Sequence, residues 1–474
     1  MLPPTITLEQ FNALSPEVQA IFQVTITYYE HQAAQLHGEI AELKSQVKPS
    51  PRNSSLPPST VHPHAKPTPV KPKSKKKRGG QPGHKKHERA LIPVEQCQDV
   101  VECRPKKCRR CETKLHGDDL APLRHQVWEL PVIKPDVKEY RLHRLTCSGC
   151  GESTCGTLPA GIPQGQSGPR LTAFVGLLMG HFRQSKRRAA LFLEDLLGFP
   201  CCPATTVKMQ NQVAAALAQP YDELVAALAA EPQVSMDETP TKQGPVKAWL
   251  WAALAPLIAV FAIFSSRKGT ALPKLLGPNY AGVINCDRAK MYWQAKRLQW
   301  CWAHLIRDFQ ALIDHPDHQV KRLGYDLMRE TKAMFIEWKR YKKKEIDWPT
   351  FQTLMQPIRQ AIDALLLRGK FSGNPRLIGM CKELYGHREW LWTFVEVQGI
   401  EPTNNVAERA LRPAVIYRKL SFGTQSESGS RFIERMLTMS ETCRLQGRSP
   451  FAYLVSALEA HFAKQPAPSL LPRA

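Results

Sequence analysis

The sequence predicts a multidomain α+β chain, and three observations carry that expectation. Helical periodicity and alternating apolar runs occupy separate blocks of the chain, as in α+β proteins. Two Cys-x-x-Cys pairs, Cys108/Cys111 and Cys147/Cys150, stand in a segment of their own. A group of apolar strand runs then lies between residues 232 and 286 and leads into a mostly helical remainder. Three antiparallel strands, a helix and a further strand are the opening of a ribonuclease-H-like α/β core, here followed by a mostly helical stretch.

Each block has its own physical reason. In residues 1–48, Tyr29, Ala33, Leu36, Ile40, Leu43 and Val47 alternate steps of four and three, the seam of a short coiled coil or of a helix packed on its own chain. Residues 49–90 are rich in Pro, Ser, Lys and His and carry the cluster Lys75, Lys76, Lys77, Arg78. Such a composition cannot bury a core, and the segment reads as a basic linker with solvated histidines. Residues 91–160 read as a zinc-ribbon-like module. Each C-x-x-C turn presents two thiolates, four soft donors complete a tetrahedral zinc, and His125–Leu130 with Val137–Leu145 alternate enough to be strands. Cys97, Cys103 and Cys155 are spare ligands or buried thiols.

Residues 161–231 carry helical patterns at Leu171–Phe182, at Ser185–Leu197 ending on Gly198, and from Pro203 through Leu217. A helix, a glycine turn and a Thr-capped second helix have a helix-turn-helix flavour; generic helix packing is the alternative. The strand runs Gln233–Glu238, Val246–Ala255 and Leu257–Ser265, the helix Thr270–Leu276 and the strand Tyr280–Cys286 open a domain extending to residue 465. From about Leu298 to Trp392 the chain reads as mostly helical, and the Pro-rich tail 466–474 is expected to fray.

Composition narrows the partners. The chain has 474 residues, with 65 Lys plus Arg against 42 Asp plus Glu, a net charge of +23. That surplus favours a polyanionic partner, most simply nucleic acid. The run nearest to a membrane span, Trp249–Phe264, is short and broken by Pro256, so no membrane crossing is expected. Met1-Leu2-Pro3-Pro4 lacks the basic and apolar regions of a secretion signal. Thirteen cysteines in a large unsecreted chain argue for metal ligands and buried thiols over a disulfide scaffold.

The chemistry is expected from three acids. In Thr403–Pro413, Thr403, Asn404 and Asn405 are capping residue types, and Glu408 sits in the first turn of the helix that follows, where the dipole favours an anion. An ordinary surface pair Glu408–Arg412 is the bland alternative. Asp237 lies on the first strand of the core and Asp287 closes the fourth. Carboxylates from separate elements that converge can hold two divalent ions about 3.5–4 Å apart for phosphoryl transfer, and Mg²⁺ (or Mn²⁺) suits oxygen donors that leave room for water and phosphate. Glu238 is set aside because adjacent strand residues face opposite ways. Arg307, Arg409, Arg412, Arg418 and Lys419 are candidate phosphate contacts, as are the linker residues Lys75–Arg78. Cys301-x-x-His304 has ligand-like residues without a second pair, and reads as a structural contact beside the site; His304 touching DNA is the minor alternative.

The flanking residues sharpen this. Asn53–Ser59, Gly79–His84, the paired cysteine knuckles, Asp237-Glu238-Thr239, Cys301–Arg307, and Thr403–Pro413 followed by Arg418-Lys419 closely resemble the insertion-sequence transposases of the IS66 family, which have a DDE-type core. The resemblance implies that Asp237, Asp287 and Glu408 are the catalytic triad, and that a helical insertion, about 310–395, separates the second acid from the third. It also implies binding of terminal inverted repeats and target DNA, metal-dependent strand cleavage and 3′-hydroxyl strand transfer. A homo-oligomeric synaptic complex, with room for accessory proteins, and a bacterial cytoplasmic, nucleoid-associated location go with it. Asp287 is followed by Arg288, where the family often has glycine. The alternatives are a ribonuclease-H-like nuclease without strand transfer and a non-catalytic zinc DNA-binding protein.

Overall fold

The computed structural model describes residues 8–46 and 89–472. Most of the predicted linker, including Lys75, Lys76, Lys77 and Arg78, lies outside the described residues. The chain divides into two compact units, residues 63–136 and residues 1–62 with 137–474.

In the smaller unit, the Cys108–Cys111 turn is closed by Cys108 N–H on the Thr113 carbonyl (2.9 Å) and Glu112 N–H on the Cys108 carbonyl (3.0 Å). Glu112 takes the left-handed conformation at φ 56°. The strand predicted at His125–Leu130 does not form: Val127, Trp128 and Leu130 are all exposed. An alternating pattern with no apolar surface to cover it lacks the burial that stabilises a lone hairpin in water.

The larger unit begins with α1 (Leu8–Asn12) and α2 (Pro16–Gln46), on which Tyr29 and Leu36 of the predicted seam are exposed. A small antiparallel hairpin, β1 (Arg144–Thr146) and β2 (Ser153–Cys155), follows. Only the end of the predicted strand Val137–Leu145 is therefore extended in a ladder; Val137 and Leu142 are exposed, and the same absence of burial accounts for it. The hairpin's Cys147–Cys150 turn repeats the first one bond for bond. Cys147 N–H meets the Glu152 carbonyl at 2.8 Å, Gly151 N–H meets the Cys147 carbonyl at 2.9 Å, and Gly151 has φ 76°.

Helices α3 (Pro169–Gly180), α4 (Lys186–Leu197), α5 (Pro203–Ala216) and α6 (Ala218–Leu228) come next. Ser185 caps α4 by accepting from Arg188 N–H, and Gly198 ends it at φ 60°, the left-handed stop that glycine adopts without strain. Then come β3 (Gln233–Gln243), β4 (Val246–Leu254), β5 (Ala259–Phe264), α7 (Leu272–Leu276), β6 (Val283–Cys286) and β7 (Leu298–Trp300). The helical remainder is α8 (Trp302–Ile313), α9 (His318–Lys342), α10 (Trp348–Lys370), α11 (Pro375–Gly386), α12 (Glu389–Glu396), α13 (Asn405–Ser421), α14 (Glu427–Leu445) and α15 (Pro450–Phe462).

The strands form one mixed sheet in the order β5-β4-β3-β6-β7. The β5–β4 and β4–β3 pairs are antiparallel, while β3–β6 and β6–β7 are parallel. The apolar run Trp249–Phe264 is thus two core strands, and no helix among the described residues is long and apolar enough to cross a membrane. β7 corrects the expectation of helix from Leu298. Three residues are too few to display a strand period, and tertiary pairing decides. Buried Gln299 ties β7 to α12, its Oε1 accepting from Phe394 N–H at 2.8 Å.

The free edge of β5 is closed by side chains of α14. Ala259 N–H donates to Thr442 Oγ1 (3.1 Å), Phe261 N–H to Thr438 Oγ1 (2.9 Å) and Ile263 N–H to Glu434 Oε1. Four residues of helix rise about 6 Å and two residues of strand about 6.6 Å, so a helical i, i+4, i+8 polar row matches alternate strand amides. The helices of the predicted DNA-reading region share this core: α5 packs against α3, α14 and α15. The tail is docked, contrary to the expected fraying. Leu470 is buried, Tyr453 Oη donates to the Pro468 carbonyl (2.6 Å), and Gln446 Nε2 donates to that of Leu470 (2.8 Å). Its prolines favour an extended path across the surface, and one leucine anchors it.

Candidate active site

The parallel pairing of β3 with β6 aligns two acids. Ser235 lies opposite Asn285 in the register, and two residues beyond each are Asp237 and Asp287. Equal offsets on adjacent parallel strands place side chains on one face at about the 4.8 Å strand spacing. Asp237 Oδ1 accepts from Glu238 N–H at 2.9 Å, and Asp287 Oδ1 accepts from Ala289 N–H at 2.9 Å.

Two buried asparagines bring the third element in. Asn285 Nδ2 donates to the carbonyls of Glu401 (2.7 Å) and Thr403 (3.2 Å), which holds the segment entering α13 against β6. Asn404 occupies the N-cap position of α13, but its side chain makes no cap bond. Its Nδ2 donates to the Met236 carbonyl (2.6 Å), and its backbone N–H points at Cys301 Sγ (3.1 Å). The capping expected of Asn404 is thus replaced by a tether to β3, because the residue is buried where strand and helix meet. Glu408, one turn on, lies close enough to Asp237 that its charge raises the latter's pKa.

Asp237 carries the electrostatic signature of the site. Burial, then the charges of Glu238, Asp287 and Glu408, push its carboxyl well above the usual range, against the one N–H bond that opposes them. Among the described residues, neither Asp237 nor Asp287 has a Lys or Arg ion-pair partner. Glu238 does: Oε1 meets Arg267 Nη2 at 2.6 Å, and Oε2 accepts from Tyr292 Oη at 2.6 Å. Its charge still reaches Asp287, but both its oxygens are committed to protein partners. Desolvated oxygen donors short of cationic partners are a set that a divalent cation fits.

Glu408 does not pair with Arg412, which is exposed. Its neighbours come from α8: His304 Nδ1 stands 3.7 Å from Oε1, and Arg307 Nη2 stands 3.6 Å from Oε2. Cys301 and His304 therefore find their third ligand-type residue in Glu408, with their donor atoms and a Glu408 oxygen mutually within 4.8 Å. Arg418 is turned toward β3, donating to Thr239 Oγ1 (3.1 Å) and the Pro240 carbonyl. Arg409 and Lys419 are exposed on α13.

Arg288 bridges Asp308 of α8 (2.7 Å) and Glu383 of α11 (3.0 Å), so the residue after Asp287 staples the helical insertion to the end of β6. Reading the sequence did not find Asn285, Arg267 or Tyr292. Asn285 left a signal, a lone amide in the apolar run Val283–Cys286; Arg267 and Tyr292 left none in their own neighbourhoods.

Each cysteine knuckle favours thiolate. N–H groups of Cys150 and Gly149 hold Cys147 below the ordinary thiol value, and the Thr113 hydroxyl and N–H do the same for Cys111.

Together these features define a carboxylate-lined site on a mixed sheet, covered by helices and suited to divalent metal. Comparison with known proteins agrees at the level of family. Residues 164–431 match the family described as Transposase IS66 family, which spans every element of the site, and the chain belongs to that family. Residues 2–90 match a family of unknown function (DUF6444). Two curated relatives from Sinorhizobium fredii (strain NBRC 101917 / NGR234) are uncharacterized proteins. One, y4qI, is 26% identical over 239 residues, covering 45% of this chain and 43% of its own length. The other, y4jD, is 23% identical over 274 residues, covering 50% of this chain and 52% of its own. The chain spans about half the length of the curated relatives it matches.

Proposed function

We propose that this chain is a DDE-type DNA transposase whose catalytic carboxylates are Asp237, Asp287 and Glu408. One observation carries the reading: the β3–β6 register and the Asn404 tether bring the sequence-distant Asp287 and Glu408 within electrostatic reach of Asp237. The sheet order, three antiparallel strands continued by two parallel ones, supports a ribonuclease-H-like core with α8–α12 as its insertion.

Asp237, Asp287 and Glu408 would hold the magnesium or manganese ions, which when bound lower the pKa of an attacking water or 3′-hydroxyl and neutralise the leaving oxygen. The protein's own part is positioning. Asn285 and Asn404 fix the approach of α13, and the Arg267–Glu238–Tyr292 cluster braces β3 beside Asp237. Exposed Arg409, Arg412 and Lys419 on α13 are placed to meet phosphates; Arg307 lies beside Glu408. Arg418, committed to β3, acts as a brace and leaves our set of DNA contacts. The cysteine knuckles, as holders of structural zinc, and α3–α6 are the regions we assign to end binding, with the basic linker adding salt-sensitive affinity. Two ends cut and joined in one complex require a multimer.

The test uses the full-length protein, a duplex carrying the element's terminal repeats, a plasmid target and Mg²⁺. Asp237→Asn, Asp287→Asn and Glu408→Gln are each expected to lower strand cleavage by at least about 10³-fold while end binding stays within a few-fold. A variant cleaving at the wild-type rate removes its residue from the site. Cleavage by the wild type without joining of the 3′ end to the plasmid would leave a nuclease.

A further inference from the structure

We propose that Cys301, His304 and Glu408 form a binding site for one transition-metal ion of the zinc class, distinct in donor chemistry from the oxygen-lined magnesium site of our proposed function, with which it shares Glu408. The donor set is mixed sulfur, nitrogen and oxygen, and its atoms all lie within 4.8 Å of one another. Thiolate and imidazole select zinc-like ions, whereas magnesium takes oxygen and holds its water.

Two orphaned atoms point into this cluster. His304 Nδ1 and Glu408 Oε1 are buried, and neither has a hydrogen-bond partner. They stand 3.7 Å apart, too far for a hydrogen bond. Donors at about 2.0–2.2 Å from a tetrahedral zinc are about 3.4 Å from each other, so one ion would satisfy both with a shift of a few tenths of an ångström. Buried polar atoms left unsatisfied are uncommon in folded proteins, and an ion is one of the ordinary explanations.

The third donor sits in a cradle that fits a thiolate. Cys301 Sγ accepts the N–H of Asn404 at 3.1 Å and is buried beside the other two donors. Cys301 is the N-cap of α8, His304 follows three residues later on the same face, and Glu408 lies in the first turn of α13. Both helix starts favour the anionic forms of the donors. Three protein ligands leave a fourth position for water, and the ion would fix Glu408 through Oε1, leaving Oε2, 3.6 Å from Arg307 Nη2, for the magnesium site.

The experiment measures cobalt binding by the full-length protein after exchange of its native metal. The sulfur-to-cobalt charge-transfer band and the bound stoichiometry are compared in the wild type, Cys301→Ser and His304→Ala. His304 is partly exposed, which keeps the second variant a sound control for folding. Both variants are expected to bind one equivalent fewer than the wild type, with the knuckle-bound cobalt unchanged. Equal stoichiometry in all three proteins would overturn the assignment. Asp237→Asn is expected to lose cleavage but keep the additional equivalent. A wild type that binds this ion yet cuts no DNA would sink the catalytic reading alone.

Discussion

Asn404 joins α13 to β3 by a 2.6 Å hydrogen bond from its side-chain amide to the carbonyl of Met236, the residue before Asp237. The same asparagine begins the helix that carries Glu408 one turn later. With Asn285, which holds the Glu401 and Thr403 carbonyls, this buried amide fixes where α13 stands relative to β3. Its Oδ1 is buried without a partner, so geometry rather than complete hydrogen bonding explains its placement.

Replacing Asn404 with Ala should consequently harm catalysis more than folding. The lost bond is worth about 1–2 kcal/mol of stability, whereas a displacement of about 1 Å at Glu408 costs on the order of 10²-fold in rate. Urea unfolding and single-turnover cleavage, measured on the same preparation, separate the two. A variant that loses stability but cleaves normally would show that α13 is positioned by other contacts.

Glu434 makes stability depend on pH. Burial is the main cause that lifts its carboxyl to about 7, opposed by Arg431 at 2.9 Å and by the Ile263 N–H. A carboxyl whose folded pKa lies above its unfolded value binds its proton more tightly when folded. Its contribution is thus fully present below about pH 4.5 and is lost as pH rises through 7, by up to about 3 kcal/mol. Glu434→Gln keeps an acceptor for Ile263 and cannot titrate. Its stability relative to wild type should rise between pH 5 and pH 8 in chemical denaturation, and a constant difference would contradict the assignment.

Gly423 is held at φ 112°, and a Cβ there would collide with the backbone of Lys242 at the end of β3. The following residue pairs with the end of that strand, with Thr424 N–H on the Lys242 carbonyl at 2.9 Å. Gly423→Ala should cost at least about 2 kcal/mol in thermal or urea unfolding. Gly373→Ala, where a Cβ meets nothing within 4 Å, is the control.

Cys147→Ser should remove metal from the knuckle closed by β1 and β2 and expose that hairpin to protease. Elemental analysis for zinc, with limited proteolysis of residues 137–160, gives the readout. A variant with wild-type zinc content and an equally protected hairpin would remove Cys147 as a ligand.

Local chemistry made much of this protein legible from sequence. Ser185 and Gly198 bound α4 because capping and left-handed stops are decided within a few residues, and the apolar runs around Trp251 and Phe261 declared their strands. The family resemblance drawn from Asp237-Glu238-Thr239 and Thr403–Pro413 was legible too, since it rests on residues next to one another. What only the tertiary structure decided lies between distant segments. β7 exists because β6 pairs with it, the tail is ordered because Leu470 finds the core, and Glu408 meets His304 and Arg307 instead of Arg412. A hydrogen bond between Asn404 and Met236 has no trace in either neighbourhood, because its partners are joined by folding and not by spacing along the chain.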